Sequence, residues 1–173
     1  RSPPVHLGPH SVAFQYKNVY WLWVSAAVML VDQITKQMVV RSLGYTDVLP
    51  MLPFFNLTHL HNTGAAFSML SSAPRLLFIV LGVAVSVGIL WWMRRNPRGQ
   101  SLFAAALALI LGGALGNVID RATRGFVVDF LDFYWGSAHF PAFNVADMAI
   151  LARAGLLVLD MVLGSRPARQ AGG

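Results

Sequence analysis

Cysteine and glutamate are both absent from the 173 residues, and only 12% of the side chains are charged. The missing thiols exclude disulfides, thiolate metal sites and cysteine nucleophiles. The missing glutamate leaves any carboxylate chemistry to seven aspartates. Low charge, 56% hydrophobic residues and a mean hydropathy of +0.58 take the chain out of the usual range of soluble domains and into the membrane class. The net charge of +6 does not point to nucleic acid, because no basic patch is interleaved with aromatics. The Lys and Arg residues lie instead at the edges of apolar runs, where cations set membrane topology.

A helix needs about 20 apolar residues to cross a bilayer. Four segments qualify: 19–41, 75–94, 101–121 and 143–163. The fold class expected is an all-α polytopic membrane protein with four transmembrane helices, forming one domain over 1–173. Cations gather before the first span, in "RRNPRGQ" between the second and third, and after the fourth. The positive-inside rule then places both termini in the cytosol. Residues 1–18 read as a cytosolic arm, and the loops 42–74 and 122–142 face outward. The first of these, rich in aromatics and proline with partial alternation over Phe55 to Leu60, predicts a small β-containing region along the membrane surface. In the third span Gly112 and Gly116 stand at GxxxG spacing beside Gly113, which predicts close packing at a central helix.

Asp32, Asp120, Asp129, Asp132 and Asp147 all map toward the outward face of this topology. Each also has a plain reading. Asp32 and Lys36, spaced i, i+4, neutralise one another. Asp120 anchors at the interface beside Arg121, and Asp132 is an exposed loop carboxylate. Asp147 complements a helix N-terminus that Asn144 caps. Asp129, inside "GFVVDFLDF", has apolar flanks that a solvated acid would not need. Two carboxylates held close in a low-dielectric site cannot both ionise, so one serves as acid and the other as base. Spacing by itself leaves open which two acids meet. Rival chemistries have less to stand on. A Ser/Lys pair would have to use Lys36. His59 and His61 share a strand face, but HExxH and a third ligand are missing, so no metal or cofactor is expected and the pair is read as lining a surface loop.

Five motifs occur in order along the chain: "DQITK" at 32–36, "NTGAAFS" at 62–68, "GGALGNVIDR" at 112–121, "VVDF" at 127–130 and "FNVAD" at 143–147. Together they resemble the lipoprotein signal peptidases, the bacterial signal peptidase II family. The resemblance implies an intramembrane aspartic endopeptidase of the bacterial inner membrane, active toward the periplasmic face. It would cut prolipoproteins just before the diacylglyceryl-modified cysteine and be a target of the cyclic peptide globomycin. Its partners would be those lipid-modified precursors, membrane lipids and globomycin-type inhibitors. Carried over by motif, the catalytic pair is Asp129 and Asp147. Asp32, Asn62, Gly64, Gly113, Asn117, Asp120, Arg121 and Asn144 match supporting positions, with Lys36 completing "DQITK" and Asp120 expected to partner Arg121. Arg153, in mid-span, matches no family role and is expected to snorkel or to meet Asp160. The alternative to the peptidase is a small proton-coupled carrier, which would spread its acids through the membrane's thickness. An outward lipid-phosphate phosphatase would need more cations beside the acids.

Overall fold

A computed structural model describes residues 20–64, 74–95 and 101–164. The N-terminal arm, the "AAFS" of the second motif and the side chain of Asp160 lie outside the described residues. Helices form in all four expected places: α1 (Leu22–Ser42), α2 (Pro74–Arg95), α3 (Ser101–Thr123) and α4 (Val145–Gly164). Of these, α2 and α3 are long and apolar enough to cross a membrane, with mean hydropathies of 2.5 and 2.2. The other two have similar length but carry charged residues along them, Asp32, Lys36 and Arg41 on α1 and Asp147, Arg153 and Asp160 on α4. Arg153 lies on an exposed face of α4.

Helix α3 is central and packs against the other three. Its small residues explain why. A Cβ on Gly112 would press on Val28 and the Ser25 carbonyl of α1, and one on Gly113 would collide with the backbone oxygen of Ala146 in α4. The backbones approach closely because glycine leaves them room. On another face Leu107, Ala108 and Leu111 of α3 bury with Ile89 and Met93 of α2.

Between and beyond the helices runs an antiparallel sheet in the order β1 (Val48–Leu52), β2 (Phe55–Asn62), β3 (Val127–Trp135), β4 (Ala138–His139). The strand character expected within 42–74 appears as β1 and β2, and the 122–142 segment adds a long β3. Strand β2 pairs with β3 so that Leu60 faces Asp129 and Asn62 faces Val127. Val128 and Phe130 of β3 bury against Val39 of α1, with Leu43 and Val145 packed around them. That seat fixes β3 over the ends of α1 and α4.

Candidate active site

Helix α4 begins with a reciprocal cap. Asn144 precedes its first residue, and the Asn144 side-chain oxygen accepts the Asp147 N–H at 3.0 Å while Asp147 Oδ2 accepts the Asn144 N–H at 3.2 Å. This is a capping box built from Asn and Asp. The plain reading of Asp147 as a helix-terminal charge therefore holds, and the cap does more. With its oxygen committed to the helix, the Asn144 amide turns its Nδ2 outward, where it donates to Asp129 Oδ1 at 2.8 Å and to the Val128 carbonyl at 3.3 Å. One asparagine thus ties Asp129 on β3 to Asp147 on α4.

Each carboxylate has a further amide donor. Asn62, at the end of β2, donates to Asp129 Oδ2 at 3.1 Å, and its oxygen accepts the Gly64 N–H at 2.9 Å. Gly64 has φ +80°, and a Cβ there would strike the Phe78 ring, so both conformation and space call for glycine. Asn117 donates to Asp147 Oδ1 at 3.1 Å. Its orientation is set from behind, because the Asn117 oxygen accepts from Lys36 Nζ at 3.1 Å. Burial drives the Asp129 carboxyl up to about 6, and the nearby charge of Asp147 adds to the rise; the Asn62 and Asn144 donors and the charge of Lys36 offset part of it.

Behind the pair lies a fully buried ion cluster. Lys36 Nζ is 2.9 Å from Asp32 Oδ2 and 3.0 Å from Asp120 Oδ2. Asp32 Oδ1 accepts the Ala146 N–H at 2.9 Å, so α1 also satisfies an open donor of α4's first turn. Asp120 Oδ2 accepts the Val128 N–H at 3.0 Å, anchoring β3 one residue before Asp129. A lone buried lysine would be costly, and two carboxylates and an amide oxygen meet its three donors.

The structure corrects three expectations. Asp120 pairs with Lys36 and Arg124, not with Arg121; adjacent helical residues point apart, whereas i, i+4 residues share a face. The guanidinium of Arg121 stands 4.7 Å over the Phe78 ring instead. Asp132 is 9% exposed, not a solvated loop acid, and it bonds Asn56 at 3.0 Å and His139 at 2.8 Å, apart from the pair. His59 is buried within β2 and does not line a surface loop. Arg124, Gln33 and Gln37, all half-buried, rim this cluster and were missed by sequence reasoning: Gln33 donates to Asp120 at 3.0 Å and Arg124 to Gln37 at 2.9 Å. The i, i+4 spacing of Asp120 and Arg124 was the available signal.

Apolar helices with a small sheet, and two amide-clamped aspartates, one on β3 and one in the first turn of α4, define a protein of membrane character with two carboxylates drawn to one site. A family model described as signal peptidase (SPase) II matches residues 24–163. The chain belongs to the signal peptidase II family. A lipoprotein signal peptidase of Alteromonas mediterranea is 48% identical over 86% of this chain and 83% of its own. That of Shewanella loihica is 47% identical over 89% and 92%. Two solved bacterial membrane enzymes, determined by the in meso method, superpose with TM-scores of 0.74 and 0.73 at 27% and 26% identity. They cover 90% and 92% of this chain and 96% of each solved chain.

Proposed function

We propose that this protein is an aspartic endopeptidase that removes the signal peptide from lipid-modified bacterial prolipoproteins, cutting just before the modified cysteine, with Asp129 and Asp147 as its catalytic pair. The observation that carries the reading is the single asparagine bridging two carboxylates of unlike surroundings. The near relatives named lipoprotein signal peptidase supply the substrate class. Asp147 lies at the positive end of α4 and accepts two N–H donors, an arrangement that supports negative charge. Asp129, pushed up by burial, holds the shared proton. Asp147 then takes a proton from the attacking water, Asp129 polarises the scissile carbonyl, and the proton passes on to the leaving amine. No covalent intermediate forms. Arg121, half-buried and in the field of both aspartates, is placed to meet developing negative charge. Globomycin-type inhibitors would occupy the same ground as the scissile segment.

In the membrane the chain crosses four times, with both termini cytosolic and the pair toward the periplasmic face of the inner membrane. Asp32, Asp120, Asp129 and Asp147 join through Lys36, Asn117 and Asn144 into one network where α1, α3, α4 and β3 meet. A carrier relaying protons across the bilayer would string its acids through the thickness, which this gathering argues against.

The test is cleavage of a lipidated prolipoprotein by the detergent-purified protein. The wild type yields the shortened product, and Asp129→Asn and Asp147→Asn each lose it while keeping expression and globomycin binding. Robust turnover by either variant removes that residue from the chemistry.

A further inference from the structure

Strand β2 carries a second polar constellation on the face opposite the aspartates. Side chains alternate along a strand, so His59 and His61 point away from the side on which Asn62 reaches Asp129. The two imidazoles meet Nε2 to Nε2 at 3.0 Å. His59 Nδ1 lies 2.9 Å from the Leu43 carbonyl. A carbonyl only accepts, so Nδ1 carries the proton and His59 Nε2 presents a lone pair. Histidines that ligate metals are held in this way, their other ring nitrogen donating to a backbone carbonyl. His61 is stacked 3.7 Å from Phe126 and 4.3 Å from Tyr45, which fixes its ring plane.

We infer that His59 and His61 form a two-imidazole clip for a divalent copper or nickel ion. The separation of the pair accords with a tetragonal ion. With metal–nitrogen bonds of about 2.0–2.1 Å, a nitrogen separation of 3.0 Å subtends about 91–97° at the ion. That is the angle between neighbouring positions of a tetragonal ion, the geometry copper(II) and nickel(II) prefer, whereas a tetrahedral zinc would hold the nitrogens about 3.3–3.4 Å apart. On binding, His61 moves its proton from Nε2 to Nδ1, so both rings stay neutral. No cluster of three or more His, Asp or Glu ligands occurs among the described residues, so water completes the coordination.

The test is electron paramagnetic resonance of substoichiometric copper(II) added to the untagged full-length protein, carrying His6→Ala and His10→Ala so that the N-terminal arm does not compete. The expected result is one tetragonal copper signal with two coupled imidazole nitrogens. His61→Phe, which keeps the stack on Phe126 and Tyr45, should lose it and bind copper at least about tenfold more weakly. Thermal unfolding without metal checks that this variant folds; if it does not, His61→Asn is read in its place. A one-nitrogen or aqueous spectrum from the parent, or the same two-nitrogen signal after the His61 change, overturns the proposal.

Discussion

At the scale of single residues, Asn144 does two jobs with one amide: its oxygen caps α4 and its nitrogen holds Asp129. The jobs are separable by substitution. Asn144→Ser keeps a capping oxygen and removes the donor to Asp129, so cleavage should fall while the melting temperature stays above that of Asn144→Ala. Asn144→Ala should lose both, including about 1 kcal/mol of capping. Equal melting temperatures for the two variants would mean that the cap contributes nothing. The raised value of Asp129 gives a further prediction. A carboxyl near 6 in the fold and near 3.8 when unfolded binds more protons in the folded state across that window, so stability falls as pH rises from about 4 to 6 and then levels. Roughly 2 pKa units correspond to about 3 kcal/mol. Relative to wild type, Asp129→Asn should therefore gain melting temperature between pH 4 and 7. A constant difference over that range would show that Asp129 titrates normally.

At the scale of elements, the site depends on how closely α3 and α4 approach. Gly113 faces the Ala146 carbonyl, one residue before Asp147, and backbone cannot step aside as the end of a flexible side chain can. Gly113→Ala should push the first turn of α4 outward, cost about 1–3 kcal/mol through overpacking, and reduce kcat/KM by more than the melting temperature alone explains. A near-wild-type rate would mean that the helices tolerate the separation. Gly88→Ala, with nothing within 4 Å of the added carbon, is the matched control.

For the whole molecule, charge sets orientation. Arg1, Lys17, Arg94, Arg95, Arg98, Arg166 and Arg169 fall on the side assigned to the cytosol, against Arg41, Arg75, Arg121 and Arg124 on the other. Two of the latter are tied into the fold: Arg124 bonds Gln37, and Arg75 donates to the Arg121 and Ala122 carbonyls at 2.7 and 2.8 Å. The bias therefore favours cytosolic termini. Reporter fusions after Arg95 and Ser165 should read as cytosolic and one near Ser71 as external. A cytosolic reading at Ser71 breaks the four-crossing topology.

What the sequence determined by itself was local. Hydropathy located four helices because long, mostly apolar segments leave few alternatives even where a few charges interrupt them, and the i, i+3 and i, i+4 spacings of Asn144 with Asp147 and of Asp32 with Lys36 required no knowledge of the fold. The glycines of α3 announced a crowded helix without naming its neighbours. Composition removed cysteine chemistry outright. Spacing left open which two acids meet; the motif resemblance named Asp129 and Asp147, but what brings them together is tertiary, because they sit on a strand and a helix whose meeting depends on β3 seating against α1. The same holds for Lys36, which contacts its helical neighbour Asp32 and also, across more than eighty residues, Asp120 and Asn117. Such contacts have no sequence period, since they arise where separate elements close on one buried volume and every polar atom caught inside must find a partner.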